Sequence, residues 1–117
     1  MNAHQANIIN TLQLISSPIA ALEYQRQTPT VNVGHELVNQ WFDDFYHPGS
    51  PQFESAFSGV ELAELARFHR AFEAKVDGLP DDLATLLESP AWEQVSSEAG
   101  TVLDRLGWAG LVADYDS

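Results

Sequence analysis

The chain has 117 residues, with 17 acidic against 5 basic side chains, a formal net charge of −12 and no cysteine. Disulfides and thiolate metal sites are thereby excluded, and nucleic acid or an anionic membrane surface is a poor partner because each would be repelled at long range. One domain of this length can bury about two thirds of its unfolded surface in a single core, and no apolar run approaches the roughly 20 residues that span a bilayer. The first residues carry no Lys or Arg, and Ile8-Ile9 is broken at once by Asn10-Thr11, so no secretory signal is expected and the expected location is the cytoplasm.

Over residues 4–16, Ile8, Leu12 and Ile15 share one face, and the same phase carries on through Ile19 and Leu22 across Ser16-Ser17-Pro18. Serine followed by proline predicts two helices meeting near residue 17, the second running to about Gln27 ahead of Thr28-Pro29. Leu14 is left for a side contact, and residues 28–33 read as a loop. A third helix is predicted over residues 34–46 behind Asn32, with Leu37, Val38, Trp41, Phe42 and Phe45 on a broad apolar face. His47-Pro48-Gly49-Ser50-Pro51 ends it, and Ser50 and Pro51 then open one or two turns carrying Phe53, Ala56 and Phe57.

The longest helical pattern covers residues 59–76. Ser58 and Glu61 form the Ser-x-x-Glu capping box at its start, and Asp77-Gly78-Leu79-Pro80 offers a left-handed glycine and a proline at its end. Leu62, Leu65, His69, Phe72 and Val76 follow 3-4-3-4 spacing with Phe68 on the flank, while Glu64, Arg67, Arg70 and Lys75 are expected to point away. Residues 81–88 carry Leu83, Leu86 and Leu87, with two acids in the first turn facing the positive end of the helix dipole. Ser89-Pro90 opens a last helix whose Trp92, Val95, Ala99, Val102 and Leu106 are candidates to face the central stripe, with Gly107 as its C-terminal cap. Gly100 inside it costs about 1 kcal/mol relative to alanine, which points to close helix approach or to simple tolerance. No stretch shows the two-residue alternation of a strand. The expected fold is an all-α, single-domain bundle of five or six helices with short loops, spanning residues 1–107. Residues 108–117 are expected to form a partly ordered tail in which Trp108 and Leu111 pack.

His69 lies within an apolar stripe with Glu73 one turn away, a pairing that can share a proton or a metal. No further ligand stands at a recognisable spacing, so the simpler reading is a core or boundary histidine satisfied by a hydrogen bond. Trp41, Phe42, Phe45 and Tyr46 can line a ligand pocket or form core. Asp43-Asp44, with Glu36 on the same helix, could seat a divalent cation, but adjacent acids on a helix point about 100° apart, which fits a solvated face better. Asp77, Asp81 and Asp82 surround a turn without the alternating ligands of a calcium loop. No nucleophile elbow and no glycine-rich phosphate loop is present, so neither an enzyme nor a cofactor or metal is expected.

Three stretches, Trp41-Phe42-Asp43-Asp44, Arg67-Phe68-His69-Arg70-Ala71-Phe72 and Ser89-Pro90-Ala91-Trp92-Glu93-Gln94-Val95, carry a resemblance across residues 37–106. The chain resembles a group of small acidic bacterial proteins of unknown function, some of which are similar to immunity proteins encoded beside secreted toxins. The resemblance implies neutralisation of a toxin by surface occlusion, without an active site. The loop residues that would select a toxin have no match in it.

From Glu61 onward there are 12 acids and 4 bases, against 5 acids and 1 base before it. The leading expectation is therefore a non-enzymatic module that docks a basic protein on an acidic surface comprising Asp77, Asp81, Asp82 and Glu88, with Glu73, Glu93 and Glu98 nearby in sequence. The alternative is a ligand-binding or catalytic bundle with a pocket around His69, Glu73, Trp41 and Phe45. A third reading is a structural or dimerising subunit with apolar surface in its tail.

Overall fold

The computed structural model describes residues 1–113, and among these it contains seven α-helices and no strand. They are α1 (Ala3–Ser16), α2 (Pro18–Gln27), α3 (Val33–Asn39), α4 (Pro51–Ser55), α5 (Gly59–Val76), α6 (Leu83–Glu88) and α7 (Pro90–Leu106), with a π-helical extension of α3 over Gln40–Phe45. Side-chain caps open every α-helix. Asn2 and Ser58 form capping boxes with Gln5 and Glu61, while Ser17, Ser50 and Ser89 each cap a helix that begins with proline. No described helix is long and apolar enough to cross a membrane.

The last helix is the hub. α7 buries Trp92, Val95, Ala99, Val102 and Leu103, and it packs against α1 on one side and α5 on the other. The long stripes of α5 and α7 thus face each other as the spacing predicts, although α5 is rotated from the predicted phase. Leu65, Phe68 and Phe72 are fully buried, so Phe68 is central, while Leu62, His69 and Val76 lie at the half-buried edges. The rotation brings Glu64 and Arg67 into the seam instead of away from it. Arg67 donates to Glu98 of α7 and, at 3.3 Å, to Glu64, which also accepts from Arg105 of α7 at 3.1 Å. Desolvation pushes the Glu64 carboxyl up, but the hydrogen bonds from Arg67 and Arg105 outweigh it and hold the group below its ordinary range.

The phase predicted to run from α1 through Ile19 and Leu22 is broken. Those two side chains are 81% and 51% exposed, and Ala21 is the buried residue of α2. Ser17 is the cause: its extended backbone (φ −125°, ψ 109°) starts a new helix axis, so periodicity counted across it has no geometric meaning. Gln25 then organises the following loop, donating to Val31 O at 2.6 Å and accepting from Val33 N at 3.1 Å, where α3 begins.

Two helix ends also differ from expectation. α5 closes through Gly78 N–H to Lys75 O at 3.2 Å, and positive φ occurs only at Gly49, Gly107 and Gly110 among the described residues, so Gly78 is not left-handed. The chain tightens into the last turn there. In α6, Asp82 is the N-cap and Asp81 precedes it, so neither acid lies inside the first turn. The predicted left-handed Gly107 is present, with φ 71°; Trp108 N–H returns to Leu103 O at 2.8 Å, folding Trp108 back into the core. Leu111 stays substantially exposed instead of packing, although α1 holds the segment through Gln13 to Trp108 O and Leu111 O, and Asn10 to Ala113 O. The tail residues 114–117 lie outside the described residues.

Of the two readings of Gly100, close helix approach or simple tolerance, the first does not hold, and the close approach lies at Gly34 instead. A Cβ on Gly100 would touch nothing within 4 Å, whereas one on Gly34 would stand 2.7 Å from Asp81 O and 3.1 Å from Leu83 N. Because the obstacle is backbone, Gly34→Ala is expected to destabilise the protein by about 1 to 3 kcal/mol in urea melts, despite the better helix propensity of alanine. A melt unchanged or improved would show that α3 and α6 can separate without loss.

Arg67 and Arg105 hold the Glu64 carboxyl below its ordinary range in the folded protein. A depressed folded pKa contributes stability that is present above the ordinary carboxylate range and is lost as pH falls through the folded value. Glu64→Gln is expected to be less stable than wild type at neutral pH and to lose less stability on acidification. Parallel acid dependences in the two proteins would show that the α5–α7 ion network contributes nothing.

Candidate functional site

The acids Asp77, Asp81, Asp82 and Glu88 are all exposed, at the turn between α5 and α6 and along α6 itself. Their backbone is held from below. Gly34 lets α3 press against Asp81 O and Leu83 N, so the turn that presents Asp81 and Asp82 rests on a packed helix. Asp82 accepts from Thr85 N at 3.0 Å and from the Thr85 hydroxyl at 2.9 Å, and these bonds hold its carboxyl below the usual range. Asp81 Oδ1 lies 3.3 Å from His35 Nε2, itself exposed. Asp77 and Glu88 have no ion-pair partner among the described residues. α6 is 6 residues long, so Asp82 and Glu88 stand about 9 Å apart along its axis. The acids are therefore spaced along an edge and do not converge. Among the described residues no three His, Asp or Glu side chains come together at metal-binding distance.

The second candidate group, His69, Glu73, Trp41 and Phe45, is built by the π-helical turn. Tyr46 N–H bonds to Trp41 O, five residues back, at 3.2 Å. In an α-helix, residues five apart lie about 140° apart around the axis; the wider turn brings them together. Trp41 and Tyr46 accordingly stack at 4.6 Å with 12° between their planes, and Trp41 meets Phe68 edge-on at 4.7 Å. Trp41 is fully buried, so its indole N–H needs an internal acceptor, and His69 Nδ1 supplies it at 3.2 Å. An indole nitrogen only donates, so Nδ1 is unprotonated and the proton sits on Nε2, facing Glu73 Oε2 at 3.4 Å.

His69 is thus a boundary residue, 25% exposed at its side chain, with its ring against Phe42 and Tyr46. Phe45 is half-buried and Glu73 is exposed. Burial pushes the Tyr46 phenol up, with Arg70 opposing, which keeps it a neutral neighbour. The structure joins Trp41, His69 and Glu73 in one chain of contacts, no ring pair brings Phe45 into it among the described residues, and Trp41 has no surface through which a ligand could touch it. What these groups do chemically is satisfy one another.

The sequence reading missed a buried polar pair and a surface groove. Thr11 Oγ1 donates to Gln40 Oε1 at 3.1 Å, and both residues are buried where α1 meets the π-helical turn. A groove of about 640 Å³ runs between α1, α2, α7 and residues 109–113, with Gly100 on its floor. The glycine in the middle of α7 was the available signal for the groove; nothing in the spacing of Thr11 and Gln40 announces their pairing.

His69→Leu is expected to cost about 1 to 3 kcal/mol, because it leaves the Trp41 N–H buried without an acceptor. The double variant with Trp41→Phe is expected to be less destabilised than the sum of the two singles, which denaturant melts can measure as a coupling. Additive losses would mean that the 3.2 Å contact carries no stability.

No known protein family, no curated protein and no solved structure matches this chain.

Proposed function

We propose that this chain is a non-enzymatic protein-binding module, acting in the cytoplasm, that uses its acidic edge to occlude a basic protein, as an immunity protein occludes a bacterial toxin. The observation that carries the reading is the α5–α6 turn, where Asp81 and Asp82 are exposed while their backbone is braced against Gly34. Charges held in place lose little conformational freedom on docking, and an excess of one sign speeds encounter with the opposite sign and repels wrong partners. The net charge of −12 supplies the long-range part, and Asp77, Asp81, Asp82 and Glu88 are the local part.

Replacing Asp81 and Asp82 together by Asn tests it, since Asn caps a helix as well as Asp does and folding is preserved. Basic proteins captured from the source cells by the wild-type chain would be purified, and their association followed by stopped flow. The double variant is expected to associate on the order of 10-fold more slowly at low ionic strength. Salt that shortens the screening length below about 8 Å is expected to bring the wild type down to the variant. Equal rates at low ionic strength would remove this edge as the docking surface.

A further inference from the structure

The groove over Gly100 combines three independent features. First, the glycine makes no close helix contact: a Cβ there would meet nothing within 4 Å, and its absence leaves the groove floor open. Second, two of the seven large apolar side chains left exposed among the described residues, Leu111 and Val112 on the C-terminal segment, line it, beside Ala20 and Leu103. Third, its hydrogen-bonding capacity is lopsided. Both Gln13 N–H groups are spent on Trp108 O and Leu111 O, one of Asn10 on Ala113 O, and the Ser16 hydroxyl on Gln13 O. The side-chain oxygens of Asn10 and Gln13 bond nothing among the described residues, and the Asp104 carboxylate on the groove wall has no ion-pair partner there.

We infer that this groove seats an apolar segment of a protein partner flanked by lysine or arginine, its aliphatic anchor over Gly100 and Leu103 and its cationic end at Asp104 and the amide oxygens. Acceptors and a carboxylate around an apolar floor complement a donor-rich cation on an aliphatic stem, and they repel an acidic one. The volume of about 640 Å³ accommodates side chains of that size. The inference rests on the reading of the chain as a binder of basic protein and adds a contact surface distinct from the α5–α6 edge.

The test is a titration of the isotope-labelled chain, followed by amide chemical shifts, with a synthetic helical peptide carrying leucine on one face and lysine on its flanks. Controls are the same peptide with glutamine for lysine, and butylamine alone. The lysine peptide is expected to shift the amides of Ala20, Gly100, Leu103 and Leu111. The glutamine peptide is expected to bind at least about 10-fold more weakly. A Cβ at Gly100 meets nothing within 4 Å, and Gly100→Leu, placing a side chain in the floor, is expected to weaken binding at least about 10-fold while its thermal midpoint holds or rises. Asp104→Asn is expected to weaken binding several-fold at low ionic strength only. Shifts confined to Asp77, Asp81, Asp82 and Glu88 would overturn the groove and leave the acidic edge standing. Shifts spread over every acidic surface, or Gly100→Leu binding as wild type, would overturn the groove as a site. Butylamine binding as tightly as the peptide would overturn a protein segment as its occupant.

Discussion

The structure depends on α7 being buried from two sides. A helix with a single apolar stripe needs one partner; α7 buries Val102 and Leu103, adjacent in sequence and about 100° apart on the helix, and so presents apolar surface to both α1 and α5. Its ends are set by Ser89-Pro90 and by Gly107, which pin where those surfaces begin and stop. Much else follows from that placement. The Glu64–Arg67–Glu98–Arg105 network closes the α5 side, and the turn at Gly107 throws Trp108 back under the core toward the turn between α4 and α5, where its ring centroid lies 6.3 Å from that of Phe57.

A second consequence runs from packing to surface chemistry. Gly34 lets α3 approach the chain just before α6, and that approach braces the residues that carry Asp81 and Asp82. The same side chains would present the same charge on a loose loop, but the geometry of the charge would then be an ensemble. A core contact at one glycine therefore sets how rigidly an exposed acid is held, which is the property an electrostatic docking surface needs. On the opposite logic, the π-helical turn after α3 draws its chemistry inward. By stacking Trp41 on Tyr46 it buries an indole N–H, and His69 is recruited as the acceptor. A histidine in an apolar stripe thus serves the aromatic cluster, and its half-exposed edge is occupied by Glu73.

Local chemistry was legible wherever one short stretch decides the outcome. The caps at Ser17, Ser50, Ser58 and Ser89, the left-handed Gly107 and the exposure of Asp77, Asp81, Asp82 and Glu88 all follow from which groups a few neighbouring residues can satisfy. The all-helical class was legible for the same reason, because period is a property of the chain itself. Phase across a break was not. Ile19 and Leu22 matched the count from Ile8, but the count assumes one axis, and Ser17 starts another.

What the sequence by itself determined is therefore the class of the fold, the helix starts at Ser17, Ser50, Ser58 and Ser89, the negative charge and the absence of cysteine chemistry. Only the tertiary structure decided which side of α5 faces α7, whether Gly34 or Gly100 marks a close approach, that Trp41 and His69 satisfy each other, and that a groove lies open over Gly100. The physical reason is range. Capping and periodicity act within a turn or two of helix, whereas rotation of a helix about its axis, clearance at a glycine and the partner of a buried donor are set by residues about 30 or more positions away, brought close only when the core assembles.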